Sequence, residues 1–488
     1  MIQLDTPRDR LLPSERFGLD LLLDLSRLLV VDRADCDLVR LAVVEHDIGG
    51  GPVAALAPEK ALERGEGEVR VTTAALRAVT EIAGAAAEQR SPAADSHGRV
   101  PPAENSLVAA GRSREPLVSL LGVELRRAAV AVAGRRPIRA LSPWPYGHRW
   151  AAVVTHDLDV VDWWAVFPLL RMAELGRKGA WRLTGRVARA AQRSMGRDPV
   201  ARGVHWLLQL EAHYAIAATW FIICAEPSVR SMLAGDSTYR PDSPAAIRLL
   251  DAIIHAGHEI GLHGSFATGE QADTMVAQRR RLDRLAGRPI VGVRQHFLRM
   301  RPGPTQRLMA AAGLEYDATW GFSDRNGFRL GVADVAPAWD AEHAAALPLD
   351  LVPLTWMDRA LSKYAGIEDP ELWVDDALEL ARQCKEVDGL WVGLWHPNST
   401  EALGFPGAEA AMVRLLHTLA EERPYFAAAR KMVEWRRFRR SVRATRVTAD
   451  GQILLTAIRG HGNVVAVEDE SGDSTAAAVR PERSSGAA

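Results

Sequence analysis

Between residues 148 and 440 short apolar runs alternate with longer stretches in which apolar residues recur with a helical period. The runs at 151–154, 219–224, 259–262, 290–293, 351–354 and 390–395 read as strands, and 205–213, 245–256 and 274–285 as helices. Strands that are apolar throughout, rather than alternating, fit a sheet covered on both faces. Their alternation with helices predicts an α/β fold with a parallel sheet built from βα units.

The flanks read differently. Residues 1–145 mix Leu-rich runs such as 19–25 with Ala-rich helical stretches and carry no chemical motif, so they are expected to form an accessory domain. The joint Ser142-Pro143-Trp144-Pro145-Tyr146-Gly147 is stiff and turn-prone, which suits a boundary. Runs at 452–456 and 463–467 are expected to pair across Gly460-His461-Gly462 as a small β appendage spanning 443–470. Residues 471–488 offer almost nothing to bury and are expected to be a disordered tail.

Composition narrows the partners. The 488 residues are 48% hydrophobic and 25% charged, enough for a large catalytic domain and a smaller one. A formal charge of -1 gives no overall field for nucleic acid or an anionic membrane, so any such contact must be local. Cys36, Cys224 and Cys384 fit neither a disulfide framework nor a zinc knuckle. With no signal-like start and no membrane-length apolar run, a soluble, cytoplasmic protein without a transmembrane segment or a nucleic-acid partner is expected.

The polar residues that end the strands carry the chemistry. The run 151–154 leads into Thr155-His156-Asp157-Leu158-Asp159, 259–262 into His263 beside Gly264, 290–293 into Arg294-Gln295-His296-Phe297, and 390–395 into His396-Pro397. In parallel α/β folds, side chains at the carboxyl ends of strands converge on the ligand crevice. Gly264 is expected to leave room there for a ligand. One carboxylate with two imidazoles is a common catalytic zinc set that leaves a position for water, and a further acid and histidine can move protons. His205, His213 and His258 read as structural.

These motifs resemble those of the polysaccharide deacetylase family, carbohydrate esterase family four, over residues 148–440. The resemblance implies a distorted (β/α) barrel of about seven strands. It further implies one divalent metal ion, zinc foremost, and hydrolysis of an N-acyl group, N-acetyl foremost, on an amino sugar or glycan precursor. In that family's order, Asp157 is the base, Asp159 and His263 are metal ligands, Arg294 orients the catalytic acid unless it makes a structural ion pair, Phe297 lines the groove and His396 is the acid. Asp317, in Tyr316-Asp317-Ala318-Thr319-Trp320, is expected either to tune His396 or to cap a turn, and Trp320 either to belong to the core or to form a substrate wall. A subset with Thr-His-Asp-x-Asp and Arg-Gln-His is more similar still, and shares the later Gly327-Phe328-Arg329.

The chain departs from the pattern at one place. Four residues after His263, where the family has its second histidine ligand, stands Ala267. His296 is the expected replacement, with Ser265 or Thr268 as weaker oxygen alternatives, because neutral hydroxyls are poor ligands for a transition metal. The alternatives to a deacetylase are a non-catalytic glycan-binding barrel and a hydrolase of another linear amide. Finally, 171–202 carries nine basic residues against Glu174 and Asp198. It is either a solvated helix face or, across Arg177 to Arg197, a seat for an anionic substrate group.

Overall fold

The computed structural model describes the chain except residues 32–33, 36, 47–48, 135–137, 162–165, 195, 443, 448–452, 456–464, 469–473, 477–479 and 482–488. Cys36 and the Gly460-His461-Gly462 turn therefore lie outside the described residues.

Four strands, β1 (Ile2–Leu4), β2 (Val39–Val44), β3 (Leu62–Gly65) and β4 (Glu68–Thr72), form an amino-terminal sheet in the order β1-β2-β4-β3. Helices Pro13–Ser26, Thr73–Ala83 and Leu117–Ala133 pack with it. The first two cross closely because Gly18 has no Cβ; one would lie 2.1 Å from the Leu76 carbonyl oxygen. Strand β5 (Ile138–Leu141) follows.

The main sheet is a mixed α/β, curled half-barrel. Its strands are β6 (Ala151–Leu158), β7 (Thr219–Ile223), β8 (Glu259–Gly264), β9 (Gly292–Gln295), β10 (Tyr316–Asp317), β11 (Ala336–Asp340), β12 (Ala345–Leu351), β13 (Trp356–Met357), β14 (Leu390–Leu394) and β15 (Tyr425–Phe426). They run in the order β11-β12-β10-β9-β8-β7-β6-β14-β13, with β15 on β6, and every pair except β11/β12 is parallel. Among the described residues the hydrogen-bonded path thus has two ends. All eight residues of β6 are buried, which explains its uninterrupted apolar start.

The hydrophobic core runs without a break from Leu19 and Leu76 in the amino-terminal region to Trp220 and Trp339 in the main sheet. Phe17 packs on Trp339 with ring centroids 4.8 Å apart. Polar bonds cross the same boundary: Asp388 accepts from Arg27 and Arg126 at 2.8 and 2.9 Å, and from Arg149 on its own side at 3.1 Å.

Two expectations about pairing change. The strand expected at 351–354 ends where that run begins, at Leu351. At the carboxyl end, β16 (Ala444–Val447) pairs with β17 (Ile453–Leu455), whereas β18 (Val465–Glu468) pairs with β5 rather than with β17. Edge bonds offered by β5 thus replace the expected hairpin. Within the expected tail, β19 (Ser474–Ala476) pairs with β18 and β20 (Arg480–Pro481) with β17.

Candidate active site

Alternation along β6 sorts its polar residues. Thr155, Asp157 and, just past the strand, Asp159 share one face, and His156 turns to the other. There His156 is buried between the Trp395 carbonyl (2.6 Å) and Glu211 (2.7 Å), a structural role. On the first face Arg294, fully buried, donates from Nη1 to Asp157 Oδ1 (2.8 Å) and Thr155 Oγ1 (2.9 Å), and from Nε to the Ala318 carbonyl (3.0 Å). Its guanidinium also sits over the Phe221 ring at 4.4 Å. Asp157 keeps its second oxygen toward His263 Nε2, 3.7 Å away.

Asp159 is fixed through its own backbone: Thr238 Oγ1 donates to its carbonyl (2.7 Å), and the Tyr239 hydroxyl to that of Leu158 (3.0 Å). One ligand atom each from Asp159, His263 and His296 lies within 4.8 Å of the others. His263 Nδ1 bonds the Arg294 carbonyl (2.9 Å), which turns the lone pair of Nε2 toward Asp159. His263 Nε2 and Asp159 Oδ1 face each other at 3.1 Å, both buried, and neither has another hydrogen-bond partner. His296 Nε2 is 3.6 Å from the same oxygen, and its Nδ1 is 3.5 Å from Asp236 Oδ1. Lone pairs that converge without bonding fit a cation among them.

The hydroxyl alternatives are committed elsewhere. Thr268 Oγ1 lies within hydrogen-bond distance of the Ser265 carbonyl (2.7 Å) and the Gln295 side-chain amide (2.8 Å), and Ser265 Oγ accepts from Gln278 (2.6 Å). The space beside Gly264 is likewise filled by Thr268 and Gln295, not left for a ligand. A second group, Asp340, Glu342 and His343, also meets the distance test, but Asp340 is held by Arg307 (3.0 Å to each oxygen) and by His343 (2.7 Å).

His396 presents Nε2 to Asp159 Oδ2 at 3.6 Å. Its Nδ1 bonds Asp358 Oδ1 (2.5 Å), and its backbone N–H donates to Asp358 Oδ2 (3.1 Å). Burial alone would lower the His396 pKa, but Asp358 raises it above the usual imidazole value. Asp358, at the end of β13, was not among the expected residues. Asp317, expected either to tune His396 or to cap a turn, does not contact that histidine; it accepts from Thr319 N (2.8 Å) and Gln306 Nε2 (2.9 Å). Trp320 is no substrate wall either. It is buried, with Arg329 over its ring at 5.4 Å, and Arg329 is ion-paired to Glu88 of the amino-terminal region.

These groups open into a cavity of about 490 Å³ lined by Asp157, Asp159, His263, His296, Phe297 and His396 among others. The amino-terminal region supplies part of its wall. Arg99, also lining it, donates to the Phe297 carbonyl (3.0 Å) and the Tyr364 hydroxyl (3.3 Å), and His97 stacks on the Phe297 ring at 5.1 Å. Phe297 and Leu298 both hold left-handed backbone, φ 57° and 53°, in the turn that presents His296. Strained turns persist only where neighbours hold them, and the Arg99 and His97 contacts do so here.

No protein-family profile matches the chain, and no curated protein matches it. Solved structures that align with it include one assigned as a polysaccharide deacetylase from Mycobacterium smegmatis, 22% identical over 67% of this chain and 100% of that one, with a TM-score of 0.40. Another, assigned likewise, from Pseudomonas aeruginosa, is 19% identical over 63% and 97%, with a TM-score of 0.39. Puue allantoinase is 17% identical over 62% and 95%, also with a TM-score of 0.39.

Proposed function

We propose that this protein is a metal-dependent hydrolase that removes an N-acyl group, N-acetyl foremost, from an amino sugar or glycan precursor. One observation carries the reading. Asp159, His263 and His296 each bring one ligand atom within 4.8 Å of the others, beside an acid held by Arg294 and a histidine held by Asp358. Two imidazoles and a carboxylate suit zinc. Such an ion would supply Lewis-acid polarisation of the acyl carbonyl and of a water.

The chain's own residues do the rest. Arg294 neutralises one oxygen of Asp157 and leaves the other to take the water's proton. Attack on the acyl carbon places negative charge on its oxygen and then expels the amine. His396, made more basic by Asp358, donates a proton from Nε2 to the departing nitrogen. Phe297 and the cavity wall around it orient the substrate. Asp358 thus acts as the positioning residue for the acid.

Elemental analysis of purified protein, with acetate release measured on a panel of N-acetyl sugars, tests the reading. One divalent ion per chain and acetate release are expected. Metal without acetate points to a hydrolase of another linear amide, and neither points to a glycan-binding barrel. His296→Ala should lose the ion; unchanged stoichiometry removes His296 from the ligand set.

A further inference from the structure

Helix Val166–Arg177 wears its apolar stripe on the outside. Val166, Leu169, Leu170 and Ala173 recur at the spacing that normally buries one face of a surface helix, yet all four are exposed, Leu169 by 63%. Pro168, Arg171 and Leu175 take the buried side. The short helix Val229–Leu233 repeats the inversion: Val229, Met232 and Leu233 are exposed, Leu233 by 86%. Trp181, which opens helix Trp181–Arg193, is 70% exposed. Leu170 lines the cavity, and so does Gly235, two residues beyond Leu233, so both stripes border one mouth.

Positive charge flanks this rim. Arg177, Arg182, Arg189 and Arg197 are exposed and have no acidic partner among the described residues. The nearby Glu174 is taken up by Arg171 and Lys178. Contiguous exposed apolar rims mark interaction sites. Leu and Trp beside a basic helix face is the composition that settles in the headgroup layer of an anionic bilayer. A soluble acidic partner would satisfy the arginines but leave two apolar stripes in water.

We infer that the cavity mouth seats on an anionic lipid surface, through the stripes headed by Leu169 and Leu233 and the basic face of helix Trp181–Arg193. No helix among the described residues is long and apolar enough to cross a membrane, so the contact is peripheral. On the hydrolase reading, which this consequence rests on, the substrate presents its N-acyl group from the bilayer. Inside the cavity Arg359, stacked on Phe405 at 4.2 Å, and Lys363, over Phe297 at 4.9 Å, form no ion pair among the described residues and suit its anionic headgroup.

Flotation of the full chain with vesicles of phosphatidylcholine alone, or mixed with phosphatidylglycerol, tests the inference. Binding is expected to the mixed vesicles only, falling as salt rises. Leu169→Ser with Leu233→Ser, and Arg182→Glu with Arg189→Glu, should each weaken it by about tenfold or more. Metal content and hydrolysis of a soluble N-acyl substrate should stay at wild-type level in both. No binding to mixed vesicles, wild-type affinity in both variants, or retention on heparin without flotation each overturns the inference. Flotation involves no turnover, so its failure and the failure of the hydrolase reading are separate results.

Discussion

Asp159 and Asp388 are both shielded carboxylates with three basic side chains around them, and the molecule uses them in opposite ways. Asp388 makes a hydrogen bond to each of its neighbours, Arg27, Arg126 and Arg149, and so ties the amino-terminal region to the main sheet. Asp159 has His263, His296 and His396 at 3.1, 3.6 and 3.6 Å and no side-chain hydrogen bond to any of them. Where every bond is made, charge holds the fold together. Where neighbours approach without a hydrogen bond being made, the arrangement has the donor set that a cation would take.

The comparison breaks if the two acids can exchange roles. Asp159→Asn should lower kcat/KM by at least about 10²–10³-fold and abolish metal retention, while the melting temperature of chelator-treated protein stays unchanged. A large loss of stability in that protein would make Asp159 a structural acid. Asp388→Asn should do the reverse, costing about 3–5 kcal/mol in denaturant unfolding with activity per folded molecule intact. Asn suits the test because position 388 holds left-handed backbone, φ 52°.

The Asp388 cluster also predicts a pH dependence. Burial would raise its carboxyl, but Arg27, Arg126 and Arg149 hold it below the usual carboxylate value. The stabilisation is therefore complete above the unfolded-state pKa of about 3.9 and is lost as pH falls through the lower folded-state value. Melting temperatures of wild type and Asp388→Asn should differ at neutral pH and converge in acid. Smaller effects sharpen the picture at the site. Asp358→Asn should cost about 10–100-fold in kcat with metal content unchanged. Arg99→Ala should weaken metal affinity by about tenfold in competition with a chelator, through the His296 turn.

Much of the site was legible because one local signal repeats: an apolar run that ends in a polar residue. It marked Asp157, Asp159, His263, Arg294 and His396, all now around one cavity or bonded to a residue that lines it. Asp358 ends a run of the same kind, but β13 has only two residues, too short for any period to announce it. Strand β12 was displaced because Pro348 and Asp350 interrupt its alternation. The burial of Trp320 depends on Arg329 meeting Glu88, 241 positions away, and no local pattern carries that information. The β5–β18 pairing is hidden for the same reason.

The lacing of His97 and Arg99 onto the turn after His296 bears on how such chains can be inherited. Arg299 donates back to the His97 carbonyl (2.8 Å), so each segment braces the other. A lineage that recombined this half-barrel behind a different amino-terminal half would keep Asp159 and His263 in place but lose the support of the turn that carries His296. The two regions are thus expected to travel as a single heritable unit wherever His296 is retained.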